Sequence, residues 1–166
     1  MPGSIFHELE LGVVISRRCD HVKRGDAMSY VAGYAVCLDI TAMDVLQASR
    51  KAGEPWALAK GYRTFCPVSD FIPANLIAHP NKVDLWLKVN GELRQQGSTA
   101  DMNFHVDQLI EYLSSIMTLE AGDLILTGTL PGVAAIKGGD VITAGMVQLP
   151  QYDMQFPCVE QTKSAL

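Results

Sequence analysis

The sequence predicts a single α+β domain in which strands dominate. Three observations carry this: an alternating run over residues 8–15, an Asn90-Gly91 pair set among alternating hydrophobic residues, and helical periodicity confined to short stretches. A chain of 166 residues with 48% hydrophobic content can bury one ordinary core and is too short for two. Residues 1–166 are therefore expected to form one domain, with no repeat or linker dividing it.

In chain order, Glu8-Leu9-Glu10-Leu11-Gly12-Val13-Val14-Ile15 alternates and then turns β-branched, which predicts a strand with two unlike faces. Residues 17–26 are polar, with Gly25 as punctuation, and read as a loop. Residues 34–40 are apolar except for Asp39 and predict a strand buried on both faces. A short helix follows over 41–51, with Thr41 as its cap, Asp44 completing a partial capping box, and residues 53–55 ending it. Val83, Leu85, Leu87 and Val89 share one strand face, and Asn90-Gly91 turns that strand into Glu92-Leu93-Arg94. Leu109, Ile110, Leu113, Ile116 and Met117 recur at helical spacing and predict a helix packed on the sheet. Residues 124–126 read as a short buried strand, 127–132 as a loop rich in turn residues, and 138–142 as a final turn and strand.

The formal net charge of -5 and pI near 5.2 argue against a surface that tracks nucleic-acid phosphates. No apolar run approaches the roughly 18 residues of a membrane span, and residues 1–6 are too short for a leader, so a soluble chain without a targeting segment is expected. Cys19, Cys37, Cys66 and Cys158 are widely spaced, with no pair suited to zinc or redox chemistry, and read as free thiols.

Residues two apart in a strand point the same way, so Glu8 and Glu10 converge on one face. Their repulsion is relieved either by solvent at an edge strand or by a hard divalent cation such as Mg2+, Mn2+ or Ca2+. Asp39, acidic among Val36, Cys37, Leu38 and Ile40, is a third oxygen ligand or a strand-end cap. His7 does not open a zinc-protease motif, because Leu11 stands four residues on, and His21, His79 and His105 show no ligand spacing. Lys60 follows an apolar run and either snorkels to water or presents its ammonium in a pocket. The Gly128-Thr129 turn offers N–H groups and a hydroxyl to a carboxylate, or is an ordinary turn.

Residues 7–14, Tyr34 to Thr41, Ala59-Lys60 and Leu124-Ile125-Leu126-Thr127-Gly128-Thr129, in this order and at these intervals, resemble the fumarylacetoacetate hydrolase family. The run Trp86 to Gln95 is similar to its fumarylacetoacetate hydrolase domain-containing branch, whose members act as acylpyruvases and oxaloacetate decarboxylases. The resemblance covers about residues 6–145 and leaves 146–166 as a divergent tail. It implies a mixed β-roll, a homodimer, and Mg2+ or Mn2+ held at Glu8, Glu10 and Asp39, chelating a small oxo-acid and stabilising an enolate as a C–C bond breaks. It further implies that Lys60 supports substrate and enolate charge and that Thr129 contacts the substrate carboxylate. A mitochondrial or cytosolic setting goes with the branch.

Departures accompany the resemblance. The family places a His and a Glu on a lid upstream of the metal strand, and only residues 1–7 precede Glu8 here, so an N-terminally incomplete domain is expected. Met43 and Leu46 stand where the branch carries Arg and Gln, and Leu130-Pro131 replaces a Pro-Lys pair. The readings carried forward are acylpyruvate hydrolysis or oxaloacetate decarboxylation, a truncated or degenerate member without turnover, and oxaloacetate keto-enol tautomerisation.

Overall fold

The structure, a computed structural model, describes residues 3–160. In chain order it contains β1 (Ile5–His7), β2 (Leu9–Ile15), β3 (Val31–Leu38), β4 (Thr41–Ala42), α1 (Met43–Ala52), α2 (Ala57–Lys60), β5 (Ile72–Pro73), β6 (Asp84–Val89), β7 (Glu92–Ser98), α3 (Val106–Ile116), β8 (Leu124–Thr129), β9 (Ala134–Ile136), β10 (Val141–Met146) and β11 (Met154–Pro157). Short 3-10 turns fill several connections. The predicted mostly-β α+β class is what the chain adopts.

The strands form three antiparallel sheets, ordered β4-β1-β9, β5-β3-β2-β8 and β11-β10-β6-β7. In the second sheet β2 is central, and Leu9, Leu11, Val13 and Ile15 are essentially buried, as the alternation requires. Leu85, Leu87 and Val89 of β6 lie in the same core as these residues. The Asn90-Gly91 turn forms as predicted, with both residues at positive φ (53° and 83°), the geometry that favours this pair in a two-residue hairpin.

Four expectations need correction. The strand predicted over 8–15 is preceded by a separate strand, β1, with Glu8 at the break between them. Thr41 does not cap α1: the cap position is Ala42 with no side-chain bond, Thr41 pairs with Phe6 of β1, and Asp44 instead accepts from the Gly3 N–H at 2.6 Å. On α3 the buried stripe is Val106, Ile110 and Ser114, while Ile116 and Met117 face solvent, because the helix leans on the turn at 24–30 and on the segment before it, where the Ser114 hydroxyl receives the Val22 N–H at 3.0 Å. Thr127-Gly128-Thr129, predicted as loop, completes β8, and the divergent tail contributes β11.

Ile142 of β10 is fully buried between neighbours Val89 and Phe156 in the third sheet. Ile142→Ala should lower unfolding free energy by about 2–5 kcal/mol in a urea titration. A loss below about 1 kcal/mol would show that this sheet repacks freely.

Candidate metal centre

The strand break at Glu8 leaves its backbone carbonyl accepting from Asp39 N–H at 2.9 Å, so Glu8 lies across from Asp39 just as Glu10 lies across from Cys37. Alternation then puts the three carboxylates on one face, where one oxygen of each lies within 4.8 Å of the others. Glu10 is buried, while Glu8 and Asp39 are partly so. The cation or snorkelling question at Lys60 resolves inward: its Nζ donates to Glu8 Oε2 at 2.9 Å, to Asp39 Oδ2 at 2.5 Å and to Thr41 Oγ1 at 2.6 Å. Thr41 in turn donates to Glu8 Oε1 at 3.0 Å.

Glu10 has a different support. Between Gly12↔Leu126 and Glu10↔Thr129 the register of β2 and β8 shifts, so Thr127 and Gly128 together oppose Leu11 in a one-residue bulge. The Thr127 and Thr129 hydroxyls donate to the Leu11 and Leu9 carbonyls, both at 2.9 Å. The Gly128 N–H is thereby turned to Glu10 Oε2 at 2.6 Å. Gly128 has φ near 101°, a conformation that strains any L side chain, and a Cβ there would also displace the flexible end of Met102 at 2.9 Å, so the bulge favours glycine.

Burial is the main force on Glu10, pushing its carboxyl up to about 7 against the Gly128 N–H, with Asp39 and Glu8 adding repulsion. Burial also raises Asp39, opposed by Lys60. For Lys60 burial disfavours the ammonium, but the bonds to Asp39 and Glu8 overcome it and the net direction is upward. One ammonium thus faces three carboxylates in a partly dry setting. Three oxygen donors whose charge one ammonium only partly compensates, with no nitrogen or sulfur ligand within the group, suit a hard divalent cation.

Thr129, expected beside a substrate carboxylate, has its hydroxyl proton on Leu9 O and receives the Gln95 side-chain N–H at 3.0 Å. Its hydroxyl must leave Leu9 to donate to a ligand. Leu46 is buried and Met43 half-buried on α1, and Leu130 is buried against Gly97. Sequence reasoning missed Gln95, which is 1% exposed, and misread Thr41. The sequence carried no signal for Gln95: a regular two-residue hairpin puts Arg94 opposite Leu87, and only the bulge between Leu87 and Lys88 brings Gln95 there.

The fumarylacetoacetate (FAA) hydrolase C-terminal family matches residues 2–161. The human protein oxaloacetate tautomerase FAHD1, mitochondrial, is 54% identical over 143 residues, which cover 86% of this chain and 65% of the human one. The oxaloacetate decarboxylase, mitochondrial, of Dictyostelium discoideum is 48% identical over 95% of this chain and 72% of its own. The crystal structure of fumarylpyruvate hydrolase from Pseudomonas aeruginosa in complex with Mn2+ and pyruvate superposes with a TM-score of 0.92 at 30% identity, over 97% of this chain and 68% of that one. The chain thus spans about two thirds of the length of these relatives.

Proposed function

The chain belongs to the fumarylacetoacetate hydrolase family, and from that premise we propose that residues 1–166 act as one catalytic domain in which Glu8, Glu10 and Asp39 hold Mg2+ or Mn2+ for chemistry on a small oxo-acid. The observation that carries this reading is the convergence of three carboxylates within 4.8 Å with Glu10 buried among them. When bound, the cation supplies Lewis acidity toward adjacent keto and carboxylate oxygens.

This chain's own residues do the rest. Lys60 stands at hydrogen-bond distance from two of the three carboxylates and places a positive charge where a keto oxygen gains negative charge. Thr41 orients Glu8 and Lys60 together. The bulge fixes Glu10 by an N–H rather than a side chain, which leaves its second oxygen for the cation. The Thr129 hydroxyl reaches a substrate carboxylate on exchanging its bond to Leu9.

Bond cleavage, as acylpyruvate hydrolysis or oxaloacetate decarboxylation, is the first reading, in a mitochondrial setting like that printed in the names of the human and Dictyostelium relatives. Oxaloacetate keto-enol tautomerisation is a second reading, favoured by the 54% identity to a protein named for it. Purified protein with Mn2+ is mixed with enol-oxaloacetate, and enol absorbance and CO2 are followed together. Enol loss with matched CO2 release supports cleavage, and enol loss without CO2 supports tautomerisation. Neither signal, together with no loss of acetylpyruvate in a parallel assay and alongside measurable Mn2+ binding, would leave a family member that binds metal without turnover and would overturn the catalytic reading.

A further inference from the structure

Gln95 is a buried amide whose four hydrogen-bonding positions are all used. Its Oε1 accepts from the Leu9 backbone N–H at 3.0 Å, and its Nε2 donates to the Leu130 carbonyl at 2.7 Å. One partner can only donate and the other can only accept, so the amide orientation is dictated by backbone and not by choice. The remaining positions then follow. Nε2 also donates to Thr129 Oγ1 at 3.0 Å, so the threonine proton goes to Leu9 O. Oε1 lies 2.8 Å from His7 Nδ1, so His7 carries its proton on Nδ1, and its buried Nε2 has no partner among the described residues.

These contacts converge on the site from outside it. Leu9 is the residue between Glu8 and Glu10, His7 immediately precedes Glu8, and Thr129 follows the Gly128 that holds Glu10. Gln95 itself comes from the other side of the core, on β7 just past a bulge at Arg94, where Leu87↔Gln95 gives way to Lys88↔Leu93. Gly132 packs against the Arg94 backbone, so this bulge also seats the segment after β8. Two bulged strands therefore meet at one amide.

We infer that Gln95 is a positioning residue that sets the separation between the carboxylate-bearing strand β2 and the Gly128-Thr129 bulge, and through it the affinity of the site for a divalent cation. Its four bonds go to His7, Leu9, Thr129 and Leu130, and none to the carboxylates of Glu8, Glu10 or Asp39. The inference rests on the reading that Glu8, Glu10 and Asp39 hold the metal, so its test needs one arm that works without metal.

Two variants are compared with wild type. Gln95→Leu removes all four bonds, and Gln95→Glu keeps the shape and the acceptor for Leu9 while its carboxylate loses donation to Thr129 and Leu130. In the metal-free arm, amide exchange by NMR at Gly128, whose N–H bonds Glu10 and not Gln95, should quicken about tenfold or more while Val13, in the middle of β2, keeps its rate. In the metal arm, Mn2+ affinity should fall roughly 10- to 100-fold, the size of effect seen when groups supporting metal ligands are removed. Ile142→Ala, a buried change in the third sheet, should leave Mn2+ affinity unchanged despite its loss of stability.

Folded variants with wild-type Gly128 exchange and Mn2+ affinity within twofold of wild type would overturn the inference. So would equal weakening of Mn2+ binding by Ile142→Ala, which would make the effect general destabilisation. If wild type binds no Mn2+ while Gly128 exchange responds, the metal reading fails and the positioning role stands. If Gln95→Leu does not fold, the isosteric Gln95→Glu decides both arms.

Discussion

Glu10→Gln should strip the protein of tight Mn2+ binding and, in metal-free protein at pH 8, raise its thermal stability. The loss of affinity is expected to be on the order of 100-fold or more, because one of three anionic donors disappears. The gain in stability follows from burial. The folded protein holds the Glu10 carboxyl at about 7, above its ordinary 4.5, so folding favours the protonated form. Stability from this group is fully present below about pH 4.5, declines as pH rises toward 7, and is absent above it. Metal-free wild type should therefore lose melting temperature between pH 5 and 8 through this group, while the glutamine variant stays flatter over that window. Its amide oxygen still accepts from Gly128, so the bulge keeps its partner.

Cation binding has the opposite pH sign, because the metal needs the carboxylate. Wild-type Mn2+ affinity should drop by roughly tenfold per pH unit below about 7, with a proton released on binding. Calorimetry in buffers of different ionisation heat reads that proton directly. A glutamine variant with wild-type Mn2+ affinity, or a wild type whose affinity is level from pH 5.5 to 7, would remove Glu10 from the ligand set.

Lys60→Met has the second large effect. The substitution keeps the apolar stem and deletes an ammonium bonded to Glu8, Asp39 and Thr41. With these side chains 15–25% exposed, the loss of the charge should cost metal-free protein about 1–3 kcal/mol, below the value for a fully buried pair. Saturating Mn2+ should restore much of it, since a divalent cation answers the same carboxylates, so the metal-induced rise in melting temperature should exceed that of wild type. Turnover, in contrast, should stay about 10²- to 10³-fold below wild type even when metal is bound. Wild-type turnover in the folded, metal-loaded variant would reduce Lys60 to a counter-ion.

The parts of this structure that were legible in the sequence are those that depend on near neighbours. Val83 to Val89 with Asn90-Gly91 states its hairpin outright, and the two-residue spacing of Glu8 and Glu10 states their common face. Asp39 was legible as an anomaly, a charge that local sequence could not pair. What answered it came from far along the chain: Lys60 is 21 residues from Asp39 and 52 from Glu8. Thr41 looked like a helix cap because local composition cannot distinguish a hydroxyl aimed at a helix end from one aimed at a distant glutamate. Thr127-Gly128-Thr129 looked like a turn because a bulge uses the same residues, a positive-φ glycine between two hydroxyls. The helix α3 was placed well but rotated, since periodicity counts apolar residues without knowing that Ser114 has a backbone donor waiting.

The separation in sequence between the partners at this site also has a kinetic meaning. Gln95 reaches Leu9 across 86 residues, and Thr129 reaches it across 120. Such loops close late, after local hairpins such as β6-β7 have formed, because the entropy of ordering the intervening chain must be met first. A cation that prefers the finished site therefore has little to hold in the folding transition state and much to hold in the native one. Its stabilisation should appear as slower unfolding rather than faster folding, making metal a determinant of how long each folded molecule persists.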